Sequence, residues 1–125
     1  PDHPWAVTPP STTEIVATAL VMREAGSGTR SAYESALAAA GLGQPASPLL
    51  EVSSTTAIKS AVGAGIGGAV LSSLAVAPEM AAGTLVRVPI PGLTLHRELK
   101  AIWPSGRAPS GPAAELLTVA ARTQP

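Results

Sequence analysis

Short, largely apolar runs alternate with helix-like stretches along the first two thirds of the chain. Runs at 19–22, 49–52 and 69–71 have the length of buried strands, and each is followed by a helix-like stretch. Apolar runs of this length are typical of strands that are covered on both faces. A fourth run, Leu85–Val88, ends before Pro89. This alternation predicts right-handed βαβ units on a mainly parallel sheet, and therefore an α/β fold.

Capping and turn residues predict where the helices begin and end. Ser11 or Thr12 is a candidate N-cap for a short first helix, and Gly41 stands where a left-handed residue would close the second helix. Residues 93–103 alternate polar and apolar side chains, as a half-covered strand does. A short first helix is predicted through Val16 and Ala17, and further helices at residues 29–40, 57–62, 74–81 and 111–122.

Composition narrows the classes of function. Eight Lys or Arg balance eight Asp or Glu, so the formal net charge is zero. Nucleic-acid binding depends on neutralising phosphates and usually shows a basic excess, so direct DNA binding by this chain is not expected. The absence of cysteine excludes disulfides and fits a cytoplasmic location. The uncharged stretch 60–78 is too rich in glycine for a membrane-spanning helix, and we interpret it as core.

A turn rich in serine and glycine joins the first predicted strand to the second predicted helix. In open α/β sheets, ligands bind where strands end and helices begin, because the first amides of a helix lack intrahelical partners and lie at its positive end. Ser27 and Thr29 add hydroxyls there, and Gly28 permits close approach. Arg23 or Arg30 is the expected charge partner. These residues predict a seat for a carboxylate, sulfate or phosphate, although capping and turning alone also explain them.

A second serine-led helix start, Ser54 and Thr55, follows the next predicted strand. No basic residue accompanies it before Lys59, so capping alone is the stronger interpretation there. Two helix starts facing one crevice would nevertheless form a better anion site than either alone. Ser72, after the third predicted strand, joins the predicted ligand residues. Residues 63–68 match G-x-G-x-x-G but follow a helix and open a strand, the reverse of a dinucleotide-binding turn, so we reject a nucleotide site.

Groupings of catalytic or metal-binding residues are missing from the sequence. His3 and His96 are isolated, and the seven glutamates are scattered along the chain. The sequence contains neither a phosphate-binding loop with its lysine nor a G-x-S-x-G turn. We therefore expect neither an enzyme nor a bound cofactor or metal.

Four stretches, in chain order, match a set of known sequence motifs. They are Asp2–Ala6, similar to P-x-H-P-L-A; Leu20–Arg30, similar to a strand, loop and helix with REPGSGTR; Glu51–Leu71, similar to E-x-x-S-x-E-A-I-K-x-A-V-x-A-G-L-G-I-A-x-L; and Glu79–Val86, similar to E-L-x-x-G-x-L-V. Together these stretches resemble the effector-binding domain of LysR-type transcription regulators. Trp5 departs from the usual leucine of that family, and Thr56 departs from its usual acidic residue.

The resemblance implies a type 2 periplasmic-binding-protein-like fold, with two subdomains and a ligand cleft between them. The chain would comprise a hinge or crossing segment (1–10), the second subdomain (11–92), and a return strand and C-terminal helix of the first subdomain (93–125). One wall of the cleft would then be missing. The hinge residues would be His3, Pro4, Leu95 and His96. The residues expected to be poorly covered, or covered by a neighbouring copy, are Leu99, Ile102, Trp103, Leu116, Leu117 and Val119.

The implied function is sensing of a small, anionic metabolite by a homo-oligomeric regulator that is not associated with a membrane. Promoter DNA would be contacted through an N-terminal helix-turn-helix that this chain lacks. The alternative is a solute-binding protein of a transport system for an oxyanion or small organic acid, which shares the fold. The residues encoded upstream would discriminate, since a helix-turn-helix or a signal peptide should lie there.

Overall fold

A computed structural model of the chain describes residues 2–97 and 100–122. Short 3₁₀ turns lie at Pro4–Ala6 and Ser73–Val76. Helices and a small parallel sheet confirm the α/β class. The helices and strands are α1 (Thr12–Ala17), β1 (Val21–Arg23), α2 (Gly28–Ala39), β2 (Leu50–Val52), α3 (Thr55–Gly63), α4 (Ala77–Ala81) and α5 (Pro112–Arg122).

Side-chain and backbone caps define the ends of the first two helices, as predicted. The Ser11 hydroxyl accepts a hydrogen bond from the Glu14 amide at 3.2 Å, and the Glu14 carboxylate accepts one from the Ser11 amide at 2.8 Å. After α2, Gly41 has a φ of +69°. This left-handed residue lets the Leu42 amide donate to the Leu37 carbonyl at 3.0 Å, which satisfies an orphan carbonyl of the last turn.

Strand β1 is the central strand of the sheet. It pairs in parallel with β2, with Val21 opposite Leu50 and Arg23 opposite Val52. On its other side, Val21 forms a single parallel bridge to Ala69. The third predicted strand is therefore present only as one bridge, and β1 has neighbours from later in the chain on both sides.

Two predicted strands are not found in the described part of the chain. Leu85–Val88 is irregular, and so are residues 93–97 and 100–103 of the alternating segment. An apolar or alternating run favours extended backbone, but a strand also needs a neighbour whose amides and carbonyls pair with its own. Within the described residues no such neighbour lies beside either segment.

The core lies on both faces of the sheet because side chains alternate along β1. Leu20 and Met22 pack on one face with Ile15, Tyr33 and Leu37 of α1 and α2. Val21 points to the other face and packs against Ile58 and Ala61 of α3. The helices α2 and α3 therefore cover opposite faces of the same two strands.

The C-terminal third of the chain leaves much apolar surface uncovered. The accessible surface of 8467 Å² is roughly a third above the ~6,100 Å² that scaling gives for a compact chain of this mass. Ile102 is 92% exposed and Leu116 69%, while Trp103 and Val119 are more than half exposed. This confirms the predicted lack of cover at those four residues; Leu117 is half-buried, and Leu99 lies outside the described residues.

Candidate functional site at the carboxyl edge of the sheet

Two of the predicted ligand residues, Arg23 and Thr55, are in contact at one edge of the sheet, because parallel strands end on the same side. Strand β1 ends at Arg23, and Gly26 (φ +89°) turns the chain into α2. The Nη1 atom of Arg23 donates to the Thr55 hydroxyl at 3.1 Å, which joins the start of α3 to the end of β1. Ser72 follows the bridge at Ala69 on the other side of β1. The helices start from the same edge although they pack on opposite faces.

The start of α2 presents several hydrogen-bond donors that have no protein partner. Ser27 is the N-cap residue and is only 7% exposed, yet its hydroxyl does not cap the helix. The first amide engaged by the helix is that of Ser31, which donates to the Ser27 carbonyl at 2.9 Å. The amides of Gly28, Thr29 and Arg30 precede it and have no acceptor among the described residues. Three amides and a hydroxyl thus lie together at the positive end of a 12-residue helix.

The start of α3 is arranged differently. The Ser54 hydroxyl accepts from the Ala57 amide at 3.4 Å and so caps its own helix. The Thr55 hydroxyl already accepts from Arg23. The start of α3 therefore has fewer hydrogen-bonding groups available to a ligand than the start of α2.

Arg23, one of the two predicted charge partners, is paired with its chain neighbour. Its Nε and Nη2 atoms donate to the two carboxylate oxygens of Glu24 at 2.8 and 3.0 Å. The hydrogen bonds to Arg23 lower the pKa of the Glu24 carboxyl, and the carboxylate in turn raises the pKa of the Arg23 guanidinium. Both groups are therefore charged at neutral pH, and their charges cancel locally.

Arg30, the other predicted charge partner, is bound on the flank of α2 rather than at its start. Its Nε donates to Glu34 at 2.8 Å, and its Nη1 donates to Glu51 at 2.5 Å and to the Arg23 carbonyl at 3.2 Å. The hydrogen bonds to Glu34 and then to Glu51 raise the pKa of the Arg30 guanidinium. This network ties α2 to β2, so the Arg30 side chain stabilises the scaffold beneath the site.

A third arginine, which the sequence reasoning missed, lies at the start of α2. The Cδ and Nη1 atoms of Arg97 are each 3.5 Å from the position that a Cβ atom on Gly28 would occupy. Arg97 is 69 residues further along the chain, and no motif connects it with Gly28. Only the folded path of residues 90–97 brings the two together, and no signal in the sequence indicated this contact.

The predicted hinge residues lie in two different settings. His3 caps the first 3₁₀ turn by accepting from the Trp5 amide at 3.2 Å, and Pro4 is the first residue of that turn. Trp5 packs over Gly68 and Leu20, which anchors the crossing segment to the sheet. Leu95 and His96 are exposed, and in the part of the chain that the structure describes no hydrogen bond joins them to His3 or Pro4.

Two clefts lie away from the start of α2, one beside that helix and one beside α1. One of about 180 Å³ is bounded by Arg30, Glu34 and residues 44–48, and a second of about 390 Å³ lies next to it. Ser27 and Thr29 line neither cleft. Among residues 2–97 and 100–122, no cluster of three or more His, Cys, Asp or Glu is placed to hold a metal ion, and no helix has the length and apolarity to cross a membrane.

Comparison with known families decides the classification. The sequence profile of the family described as LysR substrate binding domain matches residues 1–124. The chain belongs to this family. The family implies a periplasmic-binding-protein-like α/β fold, with which the small parallel sheet and its flanking helices agree.

Known relatives of this LysR substrate-binding domain include transcription regulators. An uncharacterised HTH-type transcriptional regulator of Mycobacterium tuberculosis is 46% identical over 114 residues, which are 87% of this chain and 36% of that protein. The HTH-type transcriptional regulator CbbR of Cereibacter sphaeroides is 36% identical over 115 residues, 91% of this chain and 36% of that protein. A phosphonates import ATP-binding protein of Anaeromyxobacter dehalogenans is 38% identical over 101 residues, 80% of this chain and 20% of that protein. The chain thus spans about a third of the length of the two regulators.

Proposed function

We propose that this chain is the effector-sensing domain of a LysR-type transcription regulator and that it binds a small anionic metabolite without transforming it. The observation that carries the proposal is the start of α2. Ser27 is a buried residue, but its hydroxyl oxygen stays accessible and has no hydrogen-bond partner among the described residues, beside the amides of Gly28, Thr29 and Arg30. Uncommitted donors at the positive end of a helix favour a carboxylate, sulfate or phosphate group.

The surrounding residues would complete the ligand contacts. The Thr29 hydroxyl has no partner among the described residues and belongs to the first turn of α2. Ser54 and Thr55 lie at the neighbouring strand end, connected through Arg23, and Ser72 lies on the other side of β1. The ligand would therefore sit in a crevice at the strand ends, where the connections leaving β1 and β2 diverge to opposite faces.

The proposed mechanism couples ligand occupancy to the arrangement of two subdomains. Residues 11–92 would form the second subdomain, and residues 93–125 would return to the first across the hinge that starts with residues 1–10. A ligand that binds one arrangement better shifts the population toward it, typically with 1–3 kcal/mol of coupling. In a cytoplasmic homo-oligomer, that shift would reposition N-terminal DNA-binding segments. The regulator names of two relatives support this role over the solute-binding alternative.

Anion titration of the complete gene product tests the proposal. Sulfate, inorganic phosphate and acetate are added separately, and the shift of the unfolding midpoint is measured. An anion at about 100 times its dissociation constant stabilises the folded state by ~2.7 kcal/mol. Thr29→Ala removes one hydroxyl donor and is expected to weaken binding about tenfold, since hydrogen bonds to a charged group contribute ~1.5–3 kcal/mol.

Thr13→Ala is the matched control, because Thr13 is an exposed threonine of α1 away from the carboxyl edge. It is expected to leave anion binding unchanged. Absence of stabilisation by all three anions, or equal binding by wild type and Thr29→Ala, would remove the assignment of the site.

A further inference from the structure

We propose that Arg97 is the cation of the anion site at the start of α2, so that a bound oxyanion joins residues 93–97, here called the return segment, to that helix. The inference rests on the proposed function and adds to it the charged residue that selects for an anion. It also gives the site a direct connection to the segment that follows the second subdomain.

Packing of the return segment explains why Arg97 reaches α2. Ile90 and Leu93 pack against the buried cluster that contains Tyr33 and Leu37 of α2. The Leu93 amide donates to the Ile90 carbonyl at 3.2 Å, which turns the chain at this point. The segment that follows is thereby held close to α2, and the Arg97 side chain lies alongside Gly28.

The juxtaposition of Arg97 and the helix start is electrostatically unfavourable by itself. A helix N-terminus carries a partial positive charge and is stabilised by anions rather than cations. Among the described residues, no carboxylate forms an ion pair with Arg97. A bound oxyanion would accept hydrogen bonds from the amides of Gly28, Thr29 and Arg30 and from the guanidinium together. The repulsion between the helix N-terminus and the Arg97 guanidinium would then be replaced by attraction of each to the anion.

The charges nearby favour Arg97 as the cation that binds the anion, rather than Arg23 or Arg30, which the sequence suggested. Arg23 is paired with Glu24, and Arg30 is shared by Glu34 and Glu51. These two cations and three carboxylates leave one net negative charge, which would repel an anion. Arg97 supplies the missing positive charge, and its guanidinium is not committed to a carboxylate of the described chain.

Ser27 is an independent indication of a ligand at the same place. The residue is only 7% exposed and its hydroxyl makes no hydrogen bond within the described part of the chain, although an N-cap serine ordinarily bonds to an amide of the first turn. The hydroxyl oxygen is not fully enclosed, so it is free to donate to a ligand that binds at the start of α2. An oxyanion on the α2 amides would accept from this hydroxyl as well.

Two substitutions at Arg97 and one control substitution at Arg107 test the proposal on the complete gene product. Dissociation constants for sulfate and for acetate are measured by calorimetric titration, so that tetrahedral and planar oxyanions are compared. Arg97→Gln removes the charge and is expected to weaken binding of the preferred anion at least tenfold. Arg97→Lys retains the charge without the planar fork and should give intermediate affinity. Arg107→Gln removes one exposed arginine of the same C-terminal third and should bind as wild type does.

The outcomes separate this inference from the proposed function. If the wild type binds an anion and Thr29→Ala weakens it while Arg97→Gln does not, the anion site stands and the role of Arg97 is overturned. If Arg97→Gln and Arg107→Gln weaken binding equally, the effect is one of net charge and the proposal is also overturned. Failure of the wild type to bind either anion removes both. A loss with Arg97→Gln that Arg97→Lys partly restores, with an unchanged unfolding midpoint in the absence of anion, supports the proposal.

Discussion

Truncation of Leu37 to alanine is expected to destabilise the domain, because this side chain holds α2 against β1. Leu37 is 0% exposed and belongs to the cluster with Leu20, Met22 and Tyr33. Its carbonyl also accepts the Leu42 amide in the C-terminal cap of α2. Leu42, in the loop after α2, packs against the same cluster, so loss of the Leu37 side chain would loosen both the face of α2 and that loop.

The expected magnitude comes from the complete burial of Leu37. Three carbon atoms are removed, and at ~0.8 kcal/mol for each buried methylene the transfer contribution is roughly 2.4 kcal/mol. The cavity left behind adds to this, so that Leu→Ala changes in cores cost about 2–5 kcal/mol. Helix propensity offsets little, since leucine and alanine both favour helices. We expect a loss of about 3 kcal/mol in the free energy of unfolding.

Urea denaturation followed by circular dichroism measures the difference, with Leu74→Ala as the matched control. Leu74 is 85% exposed, so the same truncation there should change the free energy of unfolding by less than about 0.5 kcal/mol. With slopes of ~1–3 kcal/mol per molar urea, Leu37→Ala should lower the midpoint by roughly 1–3 M. Equal midpoints for the two variants would refute the assignment of Leu37 to the core.

Two further predictions concern the cap of α2 and an ion pair. Gly41→Ala should lower the thermal unfolding midpoint by an amount equivalent to about 1 kcal/mol, because φ at Gly41 is +69°. Gly63→Ala is the control, because Gly63 ends α3 without a positive φ and no atom lies near its Cβ position. This control should not lower the thermal unfolding midpoint, and equal effects of the two substitutions would contradict the role of Gly41. Lys59 lies 2.6 Å from Glu79 and lowers the pKa of that carboxyl below its ordinary value. The stabilisation is then present above about pH 4.5 and lost as pH falls through the lowered pKa. Urea midpoints of wild type and Glu79→Gln should therefore differ at about pH 7 and converge near pH 3; a difference independent of pH would argue against the ion pair.

Local signals predicted the helices well because each depends on groups close in the chain. The Ser11 and Glu14 cap involves residues three positions apart, and Gly41 ends α2 through its own backbone freedom. The strand predictions succeeded for Val21 and Leu50, which pair with each other, and failed at Leu85–Val88. Strand formation requires a partner from elsewhere in the chain, and apolar pattern alone does not identify that partner.

The sequence by itself determined the family, the α/β class, the caps of the first helices and the turn that presents Ser27 and Thr29. Tertiary structure decided which arginines are paired with carboxylates and which one lies beside the start of α2. Arg23 and Arg30 are close to Ser27 in sequence, but Glu24, Glu34 and Glu51 engage them, the last across the sheet. Arg97 reaches Gly28 from 69 residues away through the packing of its segment. The attraction between two charges depends on the distance between their atoms in space. Separation along the chain therefore does not predict which charges pair.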